Sequence, residues 1–122
     1  MSIEFELEND HVIVFRVSGE LRLAEFESAQ RKIEEMIKKT GRQVQILIIT
    51  NNFKGWERTE GWGDWSFAER NDSYIDKIAV VGDEKWRDSV FAFSGKGFRP
   101  VAIEYFDTGQ EATARQWLNN YE

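Results

Sequence analysis

Val44-Gln45-Ile46-Leu47-Ile48-Ile49-Thr50 is a nearly unbroken run of β-branched and leucine side chains, with a single polar residue inside it. A strand with one wet face alternates apolar and polar residues, whereas a strand covered on both faces does not, so this stretch predicts a central strand of a parallel sheet. Lys77-Ile78-Ala79-Val80-Val81-Gly82-Asp83 repeats the character. Val101 to Phe106 follows Pro100 and alternates more, as suits a strand nearer an edge.

Working outward, Ile3, Phe5 and Leu7 alternate with Glu4, Glu6 and Glu8, and Asn9-Asp10 offers turn chemistry before His11 to Gly19 resumes as a strand. A hairpin is expected there. From Leu23 onward Phe26, Ala29, Ile33, Met36 and Ile37 fall at helical spacing, with Gly41 as the stop. Asp83 caps a helix carrying Trp86, Val90 and Phe93 on one face. Thr108 to Glu111 has capping-box spacing ahead of a last helix with Ala114, Trp117, Leu118 and Tyr121 on its apolar face. The order is β-β-α-β-α-β-α-β-α, an α/β fold with a mixed, mostly parallel sheet and helices packed on it.

One domain of 122 residues accommodates all of this. Sixteen basic against twenty-two acidic residues give a net charge of −6 and no basic patch, which argues against nucleic acid as a partner. No cysteine is present to form disulfides or supply thiolates. The single histidine, His11, leaves no set of ligands for zinc and no Ser-His-Asp group, so neither a metal, a cofactor nor a catalytic residue is expected. The alternating start lacks a secretory h-region and no apolar run reaches bilayer length; a cytoplasmic location is the expectation.

The order of elements, with "VSGEL" at Val17–Leu21, "NNFKGW" at Asn51–Trp56, "IAVVGDEKW" at Ile78–Trp86 and "EYFDTGQEATARQWL" at Glu104–Leu118, resembles the SpoIIAA-like family of small bacterial proteins. The resemblance implies a fold related to the STAS domain of anti-sigma factor antagonists and, more remotely, to CRAL-TRIO lipid-binding domains. In those antagonists a serine in an Asp-Ser-Ser-Gly-like turn after the third strand is phosphorylated. The corresponding stretch here reads Trp56-Glu57-Arg58-Thr59-Glu60-Gly61, without the tandem serine. Thr59 is the hydroxyl left to accept phosphate, between two glutamates that repel added negative charge.

Three of the five tryptophans, Trp56, Trp62 and Trp65, fall within ten residues, close to Gly55, Gly61 and Gly63. A helix from about Thr59 to Glu69 is expected, marginal alone because of its glycines and held by burying indoles, with Trp65 packed in the core. Such a segment would serve as a lid over a cleft lined by Phe53, Trp56, Trp62, Trp65 and Trp86, able to admit a small apolar or lipid-like ligand. Phe91 lies off the Trp86/Val90/Phe93 face and is expected to be left uncovered, so that with Phe98 it would face a ligand, a membrane surface or a second copy in a homodimer. Two readings follow: a non-enzymatic domain binding a small apolar or lipid-like molecule, with or without peripheral membrane contact, or a protein-interaction regulator of the anti-sigma antagonist type.

Overall fold

The computed structural model describes residues 3–8 and 11–120. The Asn9-Asp10 turn and Tyr121 lie outside the described residues. Strands β1 (Ile3–Glu8), β2 (Val12–Leu21), β3 (Val44–Trp56), β4 (Ile75–Gly82) and β5 (Ala102–Asp107) form one sheet in the order β1-β2-β3-β4-β5. Only β1 and β2 run antiparallel; the other three neighbouring pairs are parallel. Helices α1 (Leu23–Thr40), α2 (Ser66–Asn71), α3 (Arg87–Ser94) and α4 (Glu111–Leu118) make the crossovers and the closing segment.

The expected order of elements is therefore the one observed, and both aliphatic runs are central strands covered on two faces. On one face Ile13, Ile46, Ile78 and Ile103 meet Ile33 and Ile37 of α1. On the other, Val12, Val14, Leu47, Ala79 and Val81 meet Ala114 and Leu118 of α4. Gln45, the polar residue in the central run, is buried, and its amide donates to the Leu118 carbonyl and, at 3.0 Å, to Asp76. A polar side chain in a fully covered strand thus becomes a strut that ties α4 to the sheet. At the end of α1, Gly41 adopts the left-handed conformation (φ 65°) and donates to the Ile37 carbonyl at 2.8 Å, ending the helix where the sequence places the stop.

Three local expectations are corrected. First, β3 does not end at Thr50 but continues to Trp56. Second, α4 starts at Glu111 rather than after a Thr108 cap, because Gln110 Oε1 accepts from the Asp107 amide (3.1 Å) and Asp107 Oδ1 accepts from the Thr108 amide (3.2 Å), which closes a turn first. Third, Thr59 to Trp65 is not helical and α2 begins only at Ser66. The Trp62 indole donates to the Glu57 carbonyl at 2.9 Å, Gly61 packs on Leu23, and Asp64 Oδ1 accepts from the Ser66 amide at 3.0 Å, closing a turn just ahead of Trp65, the N-cap of α2. The hydrogen bonds from the Ser66 side chain and amide also hold the Asp64 carboxyl below its usual range.

Candidate functional site: an aromatic cavity over the sheet

How β3 delivers its aromatic residues is a matter of parity. Side chains of a regular strand alternate faces, so Phe53 would oppose Thr50, and Phe53 and Trp56, three apart, would oppose each other. The pairing with β2 shifts twice: Ser18 and Gly19 pair with Asn51 and Phe53, and Gly19 and Leu21 pair with Phe53 and Trp56. Each shift inserts one extra residue on β3, a bulge that flips the side-chain parity beyond it. Asn52 (φ 53°) and Gly55 (φ 95°) take up the two insertions in the left-handed region, which asparagine and glycine tolerate best. Thr50, Phe53 and Trp56 consequently all line the same side of the sheet.

Six rings gather there. Phe53, Trp56 and Trp86 meet edge-to-face with centroids 4.9–5.9 Å apart. Phe93 of α3 lies 5.1 Å from Trp56 and 5.5 Å from Trp62, and Phe26 of α1 lies 5.6 Å from Trp62 and 5.3 Å from Phe93. Tilted and edge-on rings attract through their quadrupoles, but they do not tile space as branched aliphatics do. Beside them remains a cavity of about 180 Å³, floored by Phe15, Val17, Ile48 and Val80 of the sheet and roofed by α1, Trp62, α2 and α3.

The polar groups on its walls are mostly engaged. Thr50 Oγ1 donates to the Val81 carbonyl at 3.1 Å. Arg99 forks onto Asp72 at 2.6 and 3.0 Å and donates to the Ser94 carbonyl at 3.0 Å, with both side chains of the ion pair only 13% and 12% exposed. This pair ties the end of α2 to the loop after α3. On its other side α2 is tied to α1, where Arg70 and Asn71 donate to Glu34 at 3.0 and 2.8 Å. The segment from Glu57 to Trp65 is anchored at its start, since the Glu57 carboxylate accepts from the Leu23 amide at 3.0 Å and its amide donates to the Leu21 carbonyl at 2.8 Å.

The structure brings together four of the sequence-selected residues, Phe53, Trp56, Trp62 and Trp86, although Trp86 touches the cluster from behind and does not line the cavity. Trp65 is not core: it is 46% exposed, standing between the cavity and an outer groove of about 790 Å³ that also includes Ala68, Phe98 and Arg99. Its position follows from the late start of α2, which leaves Trp65 just ahead of the first turn with its ring tip over Gly95.

Phe91 is not the uncovered aromatic expected. It packs half-buried against the aliphatic core, edge-on to Tyr105 at 6.2 Å, with Lys96 Nζ 4.8 Å from its ring, because α3 is flanked by β5 on that side. Phe98, by contrast, is 95% exposed. Thr59 is exposed in the Glu57–Trp65 segment. Sequence reasoning missed Phe26 and Phe93 as members of the site. Both carry a signal in retrospect, a phenylalanine at the sheet-facing start of α1 and one on the same helical face as Trp86.

Among the described residues, no group of His, Cys, Asp and Glu could hold a metal ion, and no helix is long and apolar enough to cross a membrane.

The family model described as SpoIIAA-like matches residues 12–119. Among solved structures, an uncharacterised protein of the DUF3478 family from Shewanella loihica PV-4, with a SpoIIAA-like fold, aligns with a TM-score of 0.70 at 18% identity, over 95% of this chain and 91% of that one. The anti-sigma factor antagonist SpoIIAA in its unphosphorylated form aligns with a TM-score of 0.62 at 16% identity, over 98% of this chain and 99% of that one. No curated protein matches the sequence. The likeness to these two structures is one of fold.

Proposed function

The chain belongs to the SpoIIAA-like family, and from that premise we propose that it is a non-enzymatic binding domain whose ligand is a small apolar or lipid-like molecule held in the aromatic cavity. One observation carries this reading: protein atoms leave about 180 Å³ beside six aromatic rings, under a roof that includes a helix-free segment. Protein interiors are otherwise packed with few voids larger than a water molecule. An apolar hollow of this size leaves its lining side chains without packing partners on one side. A bound apolar molecule restores the missing contacts, and an apolar cavity of about 150 Å³ is enough to take benzene.

The lid in this reading is the Glu57–Trp65 segment with Trp62 and Trp65, fixed at Glu57 and free of helical hydrogen bonds until Ser66. Trp65 is the partition this reading moves, since it lines both the cavity and the outer groove and is half exposed. The test is intrinsic tryptophan fluorescence during titration with benzene, indole, naphthalene, octanoate and phospholipid vesicles. A saturable shift with the ring-sized compounds, reached at lower concentration by the wild type than by Ala29→Leu, is the expected result. No saturable change with any of them overturns the proposal, and the vesicle arm separately tests membrane contact through Phe98.

A second reading, a protein-interaction regulator, is favoured by the likeness to an anti-sigma factor antagonist together with the exposure of Thr59. It predicts incorporation of phosphate at Thr59 by a co-purifying kinase and loss of a partner on Thr59→Glu.

A further inference from the structure

The Trp62 indole N–H has the Glu57 carbonyl as its acceptor. The Trp56 and Trp86 N–H groups, both out of contact with solvent, have no acceptor among the described residues, and of these two rings only Trp56 lines the cavity. A buried donor without a partner is costly, and native structures satisfy most of them. Resting on the binding reading above, we propose that the ligand carries one neutral acceptor oxygen, a ketone, aldehyde, ester or ether, which takes the Trp56 N–H. Its body is of about one ring or a short chain.

Neutrality follows from the walls. Among the described residues two charged side chains line the cavity: Arg99 is forked onto Asp72, so that pair presents no net charge to the interior, and Asp64 is an exposed carboxylate that accepts from the Ser66 amide and would repel an anionic ligand. A carboxylate placed inside would lose its hydration without gaining a counter-ion. A fatty acid with its head group in the cavity is therefore disfavoured, while a carbonyl loses less on desolvation and regains a hydrogen bond from the indole. Size follows from the volume, about 180 Å³, a little more than the hollow that accepts benzene.

Acetophenone and α-methylstyrene are isosteres that differ by a carbonyl oxygen in place of a methylene group. Their affinities, measured by calorimetry for the wild type and for Trp56→Phe, give a ratio from which shape and the lost ring volume cancel. We expect the acetophenone to α-methylstyrene affinity ratio to fall about tenfold in Trp56→Phe, equivalent to about 1.4 kcal/mol. The Trp56 indole proton of the wild type should move downfield on saturation with acetophenone and not with α-methylstyrene.

If both compounds bind and the ratio stays within about twofold, or the indole proton does not move at saturation, the acceptor proposal is overturned and the apolar reading stands. If neither binds, both fall. Should Trp56→Phe fail to fold, the proton shift in the wild type decides.

Discussion

The helix-covered face around α1 has two ends built from different materials. Toward the start of the parallel strands the contacts are aliphatic: Ile13, Val44, Val101 and Ile103 pack with Ile37 and are almost wholly buried. Toward the carboxyl ends, Phe53, Trp56 and Trp86 meet edge-to-face, Phe93 tilts against Trp56, and all four are only half-buried. Branched aliphatics interdigitate in staggered rotamers and close the space between sheet and helix. Rigid planes held by quadrupole geometry leave gaps at their edges. The difference teaches that one sheet face can be a sealed core at one end and hollow at the other, with the hollow at the carboxyl ends of the strands, where open α/β sheets commonly hold ligands.

The widest separation between the ends should come from deleting matched side chains. Ile13→Ala, at a fully buried position off the cavity, should cost about 4 kcal/mol, because removed methyl groups leave a void that the neighbours cannot fill. Ile48→Ala, on the half-buried cavity wall, should cost about 2 kcal/mol, since the surroundings are already loose. Urea denaturation of the two variants measures the gap; equal losses would show that the aromatic end is packed as tightly as the aliphatic one.

A smaller contrast comes from adding atoms. Ala114 of α4 is fully buried against the opposite face, and Ala114→Leu should destabilise by about 1–3 kcal/mol through overpacking. Ala29 of α1 lines the cavity, and Ala29→Leu has room for its extra carbons, so it should be neutral or stabilising by up to about 1 kcal/mol while weakening ligand uptake. Thermal melts with and without indole read both effects. A destabilising Ala29→Leu would mean that the hollow closes in solution.

The unequal legibility of these ends has a physical basis. The aliphatic end is written in local patterns: the runs at Val44 and Lys77 carry the signature of strands covered on two faces, and the Phe26 to Ile37 spacing carries that of a helix. The aromatic end depends on two bulges. Period-two reading stops β3 at the polar Asn51-Asn52 pair and sends Phe53 and Trp56 to opposite faces, whereas insertions at Asn52 and Gly55 reunite them. Trp56 and Trp62 stand out in the sequence by their density and Trp86 by its place on the next helix, and the structure gathers these rings with Phe53 and Phe93. Trp65 and Phe91 were not correctly placed, because exposure of the first depends on the Asp64–Ser66 turn that delays the start of α2 and cover over the second depends on β5, a neighbour distant in sequence.

The smallest expected effect tests whether the aromatic end can loosen alone. Glu34 of α1 accepts from Arg70 at 3.0 Å and from Asn71 at 2.8 Å, clasping α2 over the cavity. The hydrogen bond from Arg70, then that from Asn71, holds the Glu34 carboxyl below its ordinary value of 4.5. A carboxyl whose value is lowered by folding binds fewer protons folded than unfolded, so its contribution is present above 4.5 and fades as pH falls through the lowered value. With Arg70 more than half exposed, that contribution is at most about 1 kcal/mol. Between about pH 5 and about pH 3, amides of α2 should therefore gain exchange rate relative to those of β2 and β3, after correction for intrinsic rates. Glu34→Gln should raise α2 exchange at the higher pH and flatten its acid dependence. If α2 and the central strands respond to acid in parallel, the two ends open as one unit and the clasp does not control the roof of the cavity.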